Sequence, residues 1–272
     1  MGDVQTWRVA IPTADGHRGD AVLHRPARPD NPGWLVWAHG GSWHHGSAET
    51  WAGATANLAR LTGVTVLSVN YRLAPESRHP DALIDMLAAI AWVRSVDPLG
   101  VISVGGDSVG GTLAAAAAVV ARDRREPLRA QILAYPPYDP ECRAPSYFTD
   151  PAGFPDPLTL RAQWRDWLGD PTRKNLATDG TRLRATPRDA PSLAGVCPAV
   201  LAVGSLDPVR DDVEAYASDL RGAGVLVRLS VLPGIRHGDI LTPHSRILHT
   251  LAEALTLVHR PTHTERNHTH EH

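Results

Sequence analysis

The stretch that most limits what this chain can fold into is Val101-Ile-Ser-Val-Gly-Gly-Asp-Ser-Val-Gly-Gly-Thr-Leu-Ala-Ala-Ala. Residues 101–104 form an apolar run of the kind that builds a buried strand, and residues 113–120 favour a helix, so the chain must turn sharply between them. Gly106-Asp107-Ser108-Val109-Gly110 fits the pattern G-x-S-x-G, in which only small neighbours permit so tight a strand-to-helix turn. The turn lifts the Ser108 hydroxyl clear of the sheet. It also aims the first N–H groups of the helix at whatever that hydroxyl attacks. Elsewhere, residues 64–69, 81–95 and 101–104 read as strand, helix, strand, with Leu83, Leu87 and Ile90 on the buried side of the helix. That alternation predicts an α/β fold, a mostly parallel sheet with helices on both faces.

A serine hydroxyl is a poor nucleophile at neutral pH unless a histidine takes its proton and an acid orients that histidine. Both partners are found downstream. The apolar run 198–204 leads into Ser205-Leu-Asp-Pro-Val-Arg-Asp-Asp, which places Asp207 at the carboxyl end of a strand, where sites in open parallel sheets lie. The run 225–232 leads into Pro233-Gly-Ile-Arg-His-Gly-Asp and puts His237 in a loop at the same edge. The order Ser, Asp, His is that of alpha/beta-hydrolases. Upstream, the strand at residues 34–38 ends in His39-Gly40-Gly41-Ser42-Trp43, where two glycines let backbone N–H groups turn inward. This is an HGGG-type loop, and with Val109 it supplies the expected oxyanion donors: the N–H groups of Gly41, Ser42 and Val109. His39 reads as a structural residue that fixes the loop. Asp107 and Glu76 read as carboxylates that bond loop N–H groups, and Tyr71 and Arg72 as loop supports.

Together, His39-Gly-Gly-Ser, Tyr71-Arg-Leu-Ala-Pro-Glu, Gly106-Asp-Ser-Val-Gly-Gly, Asp207-Pro-Val-Arg-Asp, Tyr216-Ala-Ser-Asp-Leu-Arg-Gly-Ala-Gly-Val and His237-Gly resemble the hormone-sensitive-lipase-like family of alpha/beta-hydrolases, the bacterial family IV esterases. The resemblance runs from about residue 34 to about residue 258. It implies hydrolysis of carboxylic esters through an acyl-enzyme, with Ser108, Asp207 and His237 as the triad and with no metal or organic cofactor. Asp211 is the runner-up for the acid. The chain departs from the family pattern in several places. Ser42 stands where a third glycine is usual, Val109 where alanine usually follows the nucleophile, and Asp239 where an aromatic commonly follows His-Gly. Only 38 residues precede His39, and residues 4–11 and 20–24 read as two edge strands, so no N-terminal helical cap is expected and the acyl pocket should be more open.

The region that would close that pocket is residues 139–191, a Pro-rich insertion with Leu160, Trp164, Trp167 and Leu168 at helical spacing. The stripe fits either ordinary packing or a small cap, and its place between core strands favours the cap, with Trp164 and Trp167 lining the substrate pocket. Trp43 and His44 are further pocket candidates, His44 and His45 alternatively capping a turn. With 272 residues, 43% apolar, the chain is expected to form one domain over 1–260. A disordered, His-rich polar tail is expected over 261–272. A net charge of −2 without a basic stripe argues against nucleic acid. The absence of a 20-residue apolar segment or a signal peptide argues against a membrane, and two cysteines make no disulfide framework, so a cytoplasmic enzyme is expected. A homodimer through the last strand is compatible with a free sheet edge. Three other functions remain open: an aryl formamidase-like amide hydrolase, suggested by Trp43; an acyl transferase or cyclase of specialised metabolism; and a small-molecule receptor on the same scaffold.

Overall fold

The computed structural model describes residues 3–27, 31, 33–150, 152–170 and 175–259. In chain order its elements are β1 (Val4–Pro12), β2 (Arg18–Pro26), β3 (Trp34–Ala38), α1 (Ala52–Thr62), β4 (Thr65–Asn70), α2 (Asp81–Val96), β5 (Ile102–Asp107), α3 (Val109–Asp123), β6 (Gln131–Ala134), α4 (Pro157–Leu168), β7 (Ala199–Gly204), α5 (Arg210–Gly222), β8 (Val227–Leu232) and α6 (Arg246–His259). The strands form one eight-stranded sheet in the order β1-β2-β4-β3-β5-β6-β7-β8. Strands β3 to β8 run parallel, and β1 and β2 are antiparallel additions on the β4 side.

Crossover handedness explains where the site opens. The unit β3–α1–β4 steps one way along the sheet, and β4–α2–β5 steps the other way past β3. Since such crossovers are right-handed, α1 and α2 lie on opposite faces, and α3 and α5, which step as α2 does, join α2. The packing agrees: α1 meets α6 on one face and α2 meets α3 on the other. Connections therefore leave the adjacent strands β3 and β5 in opposite directions, which opens a crevice at their carboxyl ends. Central strands covered on both faces need continuous apolar runs, and every residue of β5, β6 and β7 is buried. In α3 everything from Val109 to Ala121 is buried, and its alanine run combines high helix propensity with a slim surface that fits under the sheet.

One expectation about the chain's start changes. Only β1 is an edge strand at this side; β2 is paired to β1 and to β4. Its polar residues disguised this, because His24 is buried and satisfied by Thr6 Oγ1 (3.0 Å) and Thr55 Oγ1 (2.9 Å). His259 closes α6 and is buried, with Nε2 2.8 Å from Ser103 Oγ. The tail expected at 261–272 lies outside the described residues.

The connection from β6 to β7 carries α4. Asp156 caps that helix by accepting from the Thr159 N–H (2.8 Å), and Pro157 takes the first turn, where its missing N–H costs nothing. Leu160, Trp164 and Trp167 form its buried face. The start of the connection is tied to α5 by Asp212, whose Oδ2 accepts from the Tyr138 N–H (2.8 Å), the Asp139 N–H (3.1 Å) and the Tyr147 hydroxyl (2.9 Å). Among the described residues no helix is long and apolar enough to cross a membrane.

Candidate active site

Ser108 occupies the single turn between β5 and α3, at φ 50° and ψ −129°, a conformation that only glycine adopts cheaply. The surroundings hold it there. A Cβ on Gly110 would stand 2.1 Å from the Ala38 carbonyl oxygen, and one on Gly106 would stand 2.4 Å from the Gly110 backbone. The glycines of the motif are thus demanded by the close approach of β3 and by the turn itself. Ser108 is only partly buried, so its hydroxyl faces the crevice while its neighbours are sealed.

The loops that follow β7 and β8 bring Asp207 and His237 to the same edge. His237 Nε2 lies 2.9 Å from Ser108 Oγ, and Nδ1 lies 2.9 and 3.0 Å from the two oxygens of Asp207. A carboxylate can only accept, so Nδ1 carries the proton and the Nε2 lone pair faces the serine hydroxyl. Asp207 is 2% exposed, and its Oδ1 also accepts from the Val209 N–H (2.9 Å), which fixes the carboxylate plane. Asp211 turns elsewhere: it accepts from the Ser146 N–H (2.9 Å) and pairs with Arg210 (2.8 Å).

Across the crevice, the loop after β3 folds back on itself, with the N–H groups of His44 and His45 both donating to the Gly41 carbonyl (3.0 and 2.9 Å). Gly41 sits at φ 110°, and a Cβ there would meet the His45 carbonyl oxygen at 2.1 Å. The Gly40 N–H donates to Asp107 Oδ1 (3.1 Å). Among the described residues, the N–H groups of Gly41 and Ser42 have no acceptor, and the Val109 N–H opens α3, where helix donors lack intrahelical partners. His39 lies beneath the loop, stacked on Tyr71 (4.3 Å, 20°), with Nδ1 donating to the Gly40 carbonyl (2.6 Å). Burial pushes its pKa down to about 4, so it is a neutral support. The Tyr71 hydroxyl donates to the His39 carbonyl (2.9 Å), and Arg72 is bound to Asp85.

A model of the alpha/beta hydrolase fold family matches residues 35–241. The chain is a member of the hormone-sensitive-lipase-like carboxylesterase family of alpha/beta-hydrolases. Ethyl acetate hydrolase of Pseudomonas putida is 35% identical over 267 residues, covering 91% of this chain and 81% of its own length. Carboxylesterase NlhH of Mycobacterium tuberculosis is 36% identical over 231 residues, covering 80% of this chain and 70% of its own. The crystal structure of esterase LipW from Mycobacterium marinum superposes with a TM-score of 0.83 at 30% identity, over 95% of this chain and 83% of that one.

Three of the pocket candidates of this carboxylesterase-type hydrolase do not face the crevice. Trp43, Trp164 and Trp167 are each 0% exposed, and their rings pack on one another. The stripe on α4 was legible in the sequence, but its partner, Trp43, was not, because nothing in linear order links the two segments. His44 is partly exposed and bonds the Ser42 carbonyl through Nδ1 (2.7 Å). Asp107 is buried under the loop, where desolvation pushes its pKa up to about 7. The indole N–H groups of Trp37 and Trp51 face it without reaching hydrogen-bond geometry.

Tyr135 and Phe154 carry no signal in the sequence. The Tyr135 ring lies 4.6 Å from the His237 ring, and its hydroxyl accepts from the Ile240 N–H (3.2 Å), bracing the histidine loop. Asp239 leaves the histidine alone and anchors α6, accepting from the Ser245 hydroxyl (2.7 Å) and the Ile247 N–H (2.9 Å). Phe154, 68% exposed, stands edge-on to His237 at 5.8 Å, and Arg236 pairs with Asp150 (2.7 Å) beside it.

Proposed function

We propose that this hydrolase cleaves short-acyl or small aromatic carboxylic esters by transferring the acyl group to Ser108 and then to water. The observation that carries the reading is the continuous chain Ser108 Oγ, His237 Nε2, His237 Nδ1, Asp207, with links of 2.9 to 3.0 Å. In the first half-reaction the Ser108 hydroxyl attacks the ester carbonyl carbon as its proton passes to His237 Nε2. Asp207 keeps the imidazole oriented and stabilises its charged form. The carbonyl oxygen becomes an oxyanion and takes hydrogen bonds from the N–H groups of Gly41, Ser42 and Val109. Losing one such donor typically costs about 100- to 1000-fold in rate. The C–O bond to the alcohol then breaks, and His237 returns the proton to the leaving oxygen. Water repeats the sequence on the acyl-enzyme and frees the acid.

Substrate size follows from what borders the serine. Ser42 puts a side chain where the family usually has a third glycine, Val109 turns its side chain into the core, and Phe154 and Leu206 (48% exposed) offer an apolar border beside His237 and Asp207. The small acyl group named in ethyl acetate hydrolase fits that border. On this reading residues 139–191 form a small cap whose contact with substrate is made by Phe154. Trp43, the residue that suggests an aryl formamide, offers a substrate no surface because it is buried.

Rates on p-nitrophenyl acetate, butyrate, octanoate and laurate, beside N-formylkynurenine, test the reading with wild type and Ser108→Ala. Turnover should be strongest on the short esters, and Ser108→Ala should lose about a millionfold without loss of fold. Preferred turnover of the formamide, or comparable ester turnover by Ser108→Ala, would overturn it.

A further inference from the structure

Gly41, Ser42 and Trp43 have φ values of 110°, 54° and 62°, three successive residues in the left-handed region, two of them bearing side chains. Residues with a Cβ do not hold that conformation unaided, and two in succession require an outside restraint. Part of the restraint is local: the Ala74 N–H donates to the Trp43 carbonyl (2.8 Å). The rest comes from α4, more than a hundred residues later in the chain. The Trp43 ring lies parallel to that of Trp167 (4.4 Å, 9°) and 4.3 Å from that of Trp164, all three closed to solvent. Trp167 is itself held, since its carbonyl accepts from the His79 N–H (2.7 Å) and its ring meets the His79 ring at 5.1 Å. A second connection runs over the outside of the loop. His44 Nδ1 donates to the Ser42 carbonyl (2.7 Å), and His44 Nε2 lies 3.4 Å from Asp166 Oδ2 on α4.

We propose that α4 is a positioning element for the oxyanion donors: Trp164 and Trp167 clamp Trp43, and Asp166 and His44 bracket Ser42, so that the left-handed turn aims the Gly41 and Ser42 N–H groups. The inference rests on the oxyanion reading given above. It assigns Trp164, Trp167, His44 and Asp166 a role in the rate of acyl transfer and none in contact with substrate. Trp164 and Trp167 have no exposed surface and cannot touch a bound ester while α4 stays in place, yet they fix the angle of the peptide groups that do, and His44 spends its Nδ1 on the Ser42 carbonyl.

The experiment compares kcat and KM for p-nitrophenyl butyrate with the inhibition constant of an alkyl trifluoromethyl ketone. The ketone adds the serine hydroxyl reversibly to give a hemiketal oxyanion, so its affinity reports on the donors. His44→Ala and Trp167→Leu should each lower kcat about 10-fold and weaken the ketone by a similar factor, with KM changed less than about 2-fold. Asp166→Ala, at an exposed position that does not endanger folding, should lower both a few-fold. His44→Asn should recover most of the His44→Ala loss, because its amide can still donate to the Ser42 carbonyl. If Trp167→Leu fails to fold, the His44 pair and Asp166→Ala decide the matter. A rise in KM with kcat and ketone affinity intact would make α4 a substrate wall and overturn the proposal, as would no change in any of the three. Gly41→Ala separates the two levels of the argument. If it too leaves kcat and ketone affinity intact, the oxyanion reading fails; if it impairs both while the α4 variants do not, only the positioning role fails.

Discussion

Ser108 and His237 meet at 2.9 Å but are held there by different means. The serine stands at the end of β5, a central strand with every residue buried, in a turn where Gly106 and Gly110 leave no room for a methyl group. Its position is set by excluded volume. The histidine follows β8, an edge strand in which no residue is fully buried, and it is held by polar contacts: Asp207 on Nδ1, the Tyr135 hydroxyl on the Ile240 N–H, and Asp239 fastening the next segment to α6. Placement of the serine should therefore respond to volume, and placement of the histidine to the loss of single hydrogen bonds.

The largest effect that would sharpen this contrast is on the histidine side. Asp207→Asn keeps the shape but removes the charge and, with its amide oxygen held by the Val209 N–H, turns an NH2 donor toward His237 Nδ1; it should lower kcat about 10⁴-fold with an unchanged melting temperature. A loss below tenfold would mean that the imidazole is oriented by its packing alone. On the serine side, Gly110→Ala drives a methyl into the Ala38 carbonyl and should cost about 3 kcal/mol in denaturant unfolding, together with at least 100-fold in kcat. Near-normal stability there would show that the elbow is not held by volume. Tyr135→Phe is milder. It leaves the Ile240 N–H without its partner and should cost about 1–3 kcal/mol, with kcat reduced less than tenfold.

The smallest effect concerns acid. Burial pushes the His24 and His39 pKa values down to about 4, whereas an unfolded histidine titrates near about 6.5. Between those values the unfolded chain binds more protons, so both histidines make stability fall as pH drops through about 6.5 toward about 4. Asp107, pushed up to about 7 by its burial, has the opposite slope, because its folded form keeps a proton that the unfolded chain has lost above about 4. The difference between wild type and His24→Gln isolates one of these contributions. Urea unfolding at pH 7 and pH 5 should show the variant losing less stability on acidification, and parallel losses would refute the assignment. His24 lies in β2, so this change should leave kcat alone.

The same contrast governs what could be read from the sequence. Steric demands leave marks in a chain, since a glycine required by a close backbone approach sits beside the apolar run that creates the approach. The elbow, β3, β5, β7 and the loop at Gly40 and Gly41 were legible for that reason. The Leu160, Trp164, Trp167 stripe likewise marked α4 through its period. Hydrogen-bonded supports leave no such mark. Tyr135 is one aromatic after a strand, and its link to Ile240 spans 105 residues. Asp239 stood out only as a departure from the aromatic that commonly follows His-Gly, whereas it anchors α6 through Ile247. Pairing also escaped the sequence: β2 looked like an edge strand because its polar residues were visible but their partners, Thr6 and Thr55, were not.

The central claim is that Ser108 carries the acyl group between the ester and water. Intact-mass measurement of protein quenched in acid during turnover of p-nitrophenyl butyrate, with peptide mapping of the product, tests it most directly. Wild type should carry one butyryl group on Ser108, a His237→Ala variant allowed to react slowly should carry more of it than its unreacted control, and Ser108→Ala should carry none. An acyl group on another residue, or ester turnover in Ser108→Ala at the wild-type rate with no acylated protein, would contradict it.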